Sequence, residues 1–142
     1  IKMGDYIRTL TGHLFRSYGV DPNLISLELN VDDVEFDIDT GLTCGLIIDE
    51  LVSNCLKHAF IDDNGGTVHI DLLDHVDGTF TLCVSDNGIG IPKDGVLNNP
   101  DSLGLELVTL LAEKLDGSTE LRSGAGTEWQ IRFQQLQYSE RV

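Results

Sequence analysis

Apolar and polar positions recur along this chain with two periods, and the changes of period mark its elements. Over residues 3–18, Ile7, Leu10, Leu14 and Tyr18 fall at helical spacing, and Gly19-Val-Asp-Pro22 stops the run. Residues 25–31 alternate strictly, Asp32-Asp33 follows, and residues 34–38 alternate again. That pattern predicts an antiparallel hairpin. Helical spacing returns over residues 40–60, with Thr40 as the expected N-cap. A polar loop over 61–66 leads to strands at 68–72 and 80–84, joined through Asp77-Gly78. Residues 93–101 have no clear period and contain Gly95, Asn98, Asn99 and Pro100, which predicts a mobile loop. A helix is expected over 102–115, capped by Ser102 and ended by Asp116-Gly117, with Leu103, Leu107, Leu110, Leu111 and Leu115 toward the core. Strands at 119–122 and 128–133 flank the turn Ser123-Gly-Ala-Gly126, and the tail from Gln134 is polar.

This order predicts an α+β fold: a two-layer sandwich with a mixed, mainly antiparallel sheet and helices on one face. At 142 residues the chain is expected to be a single domain. It starts at Ile1, partway into a helical pattern, and is expected to be a fragment of a longer protein. Charge narrows the function. With 24 Asp+Glu against 9 Lys+Arg, nucleic acid and anionic membrane surfaces are poor partners. Any anionic ligand would need local cations, helix N-termini or a metal ion. Cys44, Cys55 and Cys83 lack C-x-x-C spacing and lie in apolar segments, so they read as reduced core thiols in a cytoplasmic setting. No apolar run reaches the length of a membrane span.

The central helix carries the first candidate chemistry. Cys44, Ile48, Leu51, Val52, Cys55 and Ala59 share one face, which belongs in a core. Glu50, Asn54 and Lys57 share the opposite stripe at i, i+4, i+7, with His58 at its edge. Leu46 and Ile47 make the first half apolar nearly all round, so the polar groups need partners of their own. Taken alone, the stripe is an ordinary solvated face. Three later motifs change its weight. Asp86-Asn-Gly88-Ile-Gly90 follows a buried strand: its carboxylate can accept from an exocyclic amine, and its glycines let a flat ligand approach. Ser102-Leu103-Gly104-Leu105 opens a helix, whose N-terminus offers free N–H groups to phosphate. Gly124-Ala-Gly126-Thr127 supplies a tight turn and a hydroxyl before the last strand. Each alone is a common turn or cap. His13, His69 and His75 take the surface reading, as do Glu128 and Arg132 on the last strand.

In this order the four motifs resemble the N, G1, G2 and G3 boxes of the gyrase–histidine kinase–heat-shock ATPase superfamily, the Bergerat fold. The wording E-L-V-S-N-C-L-K-H-A-F, S-L-G-L-E-L-V-T-L-L-A-E-K-L-D-G and F-R-S-Y-G-V is similar to the catalytic domain of sensor histidine kinases, in particular a short-lid second subgroup. The resemblance covers essentially the whole chain and implies ATP and Mg²⁺ as ligands. It implies Asn54 as Mg²⁺ ligand and Glu50 as its acidic partner, which orders Mg²⁺ or water or polarises the nucleophile. Lys57 and His58 would be phosphate-facing cations. Asp86 would read adenine beside Thr127, and Gly88 and Gly90 would shape the pocket and hinge the lid. Ser102, Leu103, Gly104 and Leu105 would form the phosphate-side turn.

The chain also departs from the family pattern. Pro100 and Ser102 stand where the fuller G-x-G-L-G-L form has glycines, the lid over 91–101 is short, and no F box is evident. The family's phosphoacceptor histidine belongs to a separate helical hairpin domain, and nothing here resembles its motif. The resemblance therefore implies γ-phosphoryl transfer to a histidine on an adjoining dimerisation and phosphoacceptor domain, with a response regulator downstream. An anti-sigma-type serine kinase and a nucleotide-binding module without transfer remain as alternatives.

Overall fold

The computed structural model describes residues 1–59, 65–88 and 102–135. Helix α1 is Met3–Ser17, strand β1 is Ile25–Val31, and helix α2 is Ile38–Asn54, continued by one π-helical turn, Cys55–Ala59. Then come strands β2 (Gly66–Asp74) and β3 (Thr79–Asp86), helix α3 (Ser102–Lys114), and strands β4 (Ser118–Gly124) and β5 (Gly126–Gln134).

The sheet order is β1-β2-β3-β5-β4. β1 pairs parallel with β2, and the other three pairings are antiparallel, so the sheet is mixed and mainly antiparallel as expected. The parallel pair requires a crossover, and α2 supplies it. Val68, Ile70 and Leu72 of β2, Leu82 and Val84 of β3, and Trp129, Ile131 and Phe133 of β5 alternate inward. They meet Ile47, Ile48, Leu51 and Val52 of α2 and Val108, Ala112 and Leu115 of α3 in one core. Phe36, Phe80 and Phe133 close its lower end, with ring centroids 4.8 Å apart for Phe36–Phe80.

Three expectations are corrected. Residues 34–38 do not form a hairpin with β1. Val34 and Phe36 are buried, but against the start of α1: Met3 N donates to the Val34 carbonyl and Phe36 N to the Ile1 carbonyl. Among the described residues the segment bridges Lys2 with Glu35, so its backbone pairs with the residues leading into α1, while Phe36 packs on Phe80 and Phe133. The N-cap of α2 is Asp37, whose carboxylate accepts from Thr40 N at 3.3 Å; Thr40 itself is buried inside the first turn. On α3, Leu107 and Leu110 are exposed, at 39% and 60%. The buried stripe runs through Val108, Ala112 and Leu115, with Leu105 and Leu111 beside it. Leu103's side chain lies outside what the structure describes. On α1, Tyr18 is an exposed C-cap, while Thr11 takes a core position by donating its hydroxyl to the Ile7 carbonyl at 2.7 Å.

Candidate functional site

The C-terminal half of α2 lies between the end of β3 and the start of α3, so residues far apart in sequence gather around it. Glu50 and Asn54 stand one turn apart on α2, both half-buried. The Glu50 carboxylate occupies the space above the third residue of α3. A Cβ built on Gly104 would stand 2.5 Å from Glu50 Oε2, so only glycine leaves room for that carboxylate. The first turn of α3, where helix geometry leaves backbone N–H groups without intrahelical partners, thereby lies against the acidic end of the stripe. Leu105 is half-buried against the core. The side chains of Ser102 and Leu103 are outside the described residues.

Asn54 is the last α-helical residue. Its side-chain amide nitrogen is buried and has no hydrogen-bond partner among the described residues. A buried amide of this kind is unfavourable unless something else meets it. Beyond it the helix widens into the Cys55–Ala59 π turn, a feature frequent at functional sites. The predicted stripe therefore crosses a change of helical period before it reaches Lys57. Lys57 is exposed, and its Nζ stands 6.0 Å from the centroid of the Tyr18 ring at the end of α1. His58 lies in the same turn, with its side chain outside the described residues.

At the other end of the site, Asp86 closes β3 and is 8% exposed. Its Oδ1 accepts from Gly88 N at 2.8 Å and its Oδ2 accepts from the Cys55 thiol at 3.2 Å. Burial, and then the Asp86 charge and that hydrogen bond, push the Cys55 thiol well above its usual range. Thr127 sits opposite Asp86 in the β3–β5 register and is half-buried. Gly126 has φ +115°, and a Cβ there would collide with the Asp86 carbonyl oxygen. The β4–β5 turn thus approaches the base of Asp86 as only glycine allows. Gly90 and the lid over 91–101 lie outside the described residues.

The structure therefore brings Glu50 to Gly104, and Asp86 to Thr127, with Asn54-Cys55 between the two ends. Lys57 points to α1. Sequence reasoning read Cys55 as a core thiol, which its burial bears out, but missed its bond to Asp86 and the approach of Lys57 to Tyr18; no local signal marks either contact. A metal can be tested against the donors present. No three His, Cys, Asp or Glu side chains gather among the described residues. Glu50 and Asn54 instead offer a carboxylate and an amide carbonyl, both hard oxygen donors; the unpaired Asn54 atom is the amide nitrogen, which calls for a hydrogen-bond acceptor and takes no part in ligation. That set suits Mg²⁺, which keeps several waters and takes few protein ligands.

Residues 41–137 match the family described as histidine kinase-, DNA gyrase B-, and HSP90-like ATPase. Blue-light-activated histidine kinase 2 of Erythrobacter litoralis is 31% identical over 104 residues, 72% of this chain and 30% of that protein. Sensor histidine kinase PdtaS of Mycobacterium tuberculosis is 35% identical over 100 residues, 68% of this chain and 20% of that protein. The chain thus spans under a third of these relatives. Among solved structures, the Erythrobacter litoralis EL346 blue-light activated histidine kinase superposes with a TM-score of 0.85 at 25% identity, covering 95% of this chain and 42% of that one. A mycobacterial sensor histidine kinase, MprB, shares the fold with a TM-score of 0.74 at 20% identity over 95% of this chain and 97% of that one.

Proposed function

Because the chain belongs to the histidine kinase-, DNA gyrase B-, and HSP90-like ATPase family, we propose that it binds ATP with Mg²⁺ and transfers the γ-phosphoryl group to a histidine on a helical phosphoacceptor domain. The observation that carries this reading is the Glu50 carboxylate lying over Gly104 at the start of α3, one helical turn from Asn54. It puts a carboxylate and an amide near a helix N-terminus, and the amide residue is followed directly by Cys55, which bonds Asp86.

In this reading Asp86 accepts the adenine amine, and Thr127 supports it from the neighbouring strand. The α3 N-terminus receives phosphate oxygens on its free N–H groups. Lys57 swings from Tyr18 toward the phosphates, a movement open to an exposed lysine. Glu50 and Asn54 hold the metal, which would neutralise triphosphate charge on a domain of net charge −15. Glu50 also faces the incoming imidazole and accepts its far N–H, leaving the other nitrogen's lone pair free to attack. Catalysis is then mainly positioning and charge neutralisation.

The acceptor's docking side is supported by exposed leucines. Leu42 and Leu46 lie on α2 before Glu50, and Leu107 and Leu110 lie on α3 after Gly104. An amphipathic helix covering them would bring its histidine toward the γ-phosphate. A response regulator would take the phosphate onward. No helix among the described residues is long and apolar enough to cross a membrane, and use of ATP assigns the domain to the cytoplasmic side.

The test supplies a histidine-bearing helical hairpin domain and γ-labelled ATP with Mg²⁺. The expected product is an acid-labile, base-stable phosphohistidine, lost in Asn54→Ala. Phosphate on serine alone, or ATP binding with no transfer to any acceptor, would overturn the proposal.

A further inference from the structure

The hydrogen bond between Cys55 and Asp86 has no place in the steps above. Asp86 is all but buried, and an ionised carboxylate only accepts, so the Cys55 thiol is the donor. The terminal torsion of an aspartate is broad and two-fold. Held only through Oδ1 by Gly88 N, the carboxylate would pivot about that bond. The second bond, from Cys55 Sγ to Oδ2 at 3.2 Å, fixes its plane.

Cys55 is suited to this by its place in the helix. It is the residue after Asn54 and the first of the π turn. Consecutive helical residues project in different directions, so Asn54 and Cys55 serve different ends of one cleft. Cys55 is 8% exposed and packs in the core, so its thiol has a settled position from which to donate.

We propose that Cys55 is a positioning residue for purine selectivity: its thiol orients Asp86 so that the carboxylate accepts the exocyclic amine of adenine and disfavours a 6-oxo purine. This rests on Asp86 as the base-reading group. Removing the thiol frees the carboxylate plane, and the preference for adenine falls while the phosphate contacts persist.

The experiment measures equilibrium binding of ATP and inosine triphosphate, without turnover, to the chain and to Cys55→Ala, Cys55→Ser and Asp86→Asn. In Cys55→Ala the ATP-over-ITP ratio should drop about tenfold, as expected for one hydrogen bond to a charged group. ITP affinity should stay near that of the parent chain, whereas a packing defect would weaken both nucleotides alike. Cys55→Ser keeps a donor and should recover at least half of the logarithmic loss. An unchanged ratio in Cys55→Ala, equal weakening of both nucleotides, or a serine variant no better than alanine overturns the inference. Asp86→Asn separates the two claims. If it abolishes selectivity while Cys55→Ala does not, Cys55 alone is misassigned. If Asp86→Asn leaves selectivity intact, the base-reading role of Asp86 fails first.

Discussion

Gly104→Ala is predicted to separate folding from function. The added Cβ would stand 2.5 Å from Glu50 Oε2, where ordinary contact begins at 3.4 Å, so the carboxylate must retreat by about 1 Å. It is the far end of a flexible side chain, and no backbone need move. Leaving its preferred rotamer costs on the order of 0.5–1.5 kcal/mol. Exchanging glycine for alanine in a helix returns up to ~1 kcal/mol. The two nearly cancel, so Tm should stay within about 4 °C of the parent chain. Function should not stay. A misplacement of about 1 Å can cost ~10²-fold in rate, so transfer to a supplied phosphoacceptor should fall by about that factor. Thermal unfolding and single-turnover transfer measure the two sides. The double variant Glu50→Gln/Gly104→Ala should be no slower than Glu50→Gln, because both changes act through one group. Full transfer by Gly104→Ala at unchanged Tm would refute the role given to the Glu50 carboxylate.

Other consequences concern the scaffold. Val76, 90% exposed, sits at φ +66°, a left-handed conformation that is costly for a β-branched residue. Val76→Asn should therefore raise stability by about 1 kcal/mol in chemical unfolding, and a loss would mean the turn depends on valine. Asp37→Ala removes the α2 N-cap and should cost about 1 kcal/mol, with weaker nucleotide binding if α2 frays; no change in either would contradict that cap. Burial, with Asp37 second, pushes the Cys44 thiol up to about 12. Unfolded thiols ionise near pH 8.5, so the unfolded chain binds fewer protons between there and about 12. The stability from keeping Cys44 neutral is thus complete below that window and lost through it. Urea midpoints should fall from pH 9 to 11 and fall less in Cys44→Ala; parallel profiles would exclude Cys44 as a cause.

How much of this was legible in the sequence depended on whether local pattern and tertiary packing agreed. The paired strands β2–β3 and β4–β5 were readable because turn residues and alternation coincide there. Residues 34–38 misled because alternation reports that one face is buried and does not say which segment pairs with the backbone; here it is residues 1–3 rather than β1. Asp37 and Thr40 are both good caps, and Ile38, 67% exposed at the first helical position, shows no core pattern to choose between them. On α3, leucines occur on nearly every side and so do not fix its phase against the core; the buried face runs through Val108, Ala112 and Leu115. Within the site, the motifs fall on segments that the structure brings near one another, the end of α2 with the start of α3 and with the end of β3, and the end of β3 with the start of β5. The π turn after Asn54 has no sequence signature, so the direction of Lys57 could not be read. Nor could the Cys55–Asp86 bond, which joins residues 31 apart in sequence.

The central claim is that Asn54 and Glu50 form a wall for Mg²⁺ and triphosphate. Calorimetric titration of ATP into the chain and into Asn54→Ala, each with and without Mg²⁺, tests it most directly. The parent chain should bind more tightly with Mg²⁺. Asn54→Ala should lose that enhancement and keep the Mg²⁺-free affinity, because Asp86 and Thr127 are untouched. A variant that retains the whole Mg²⁺ enhancement would contradict the account.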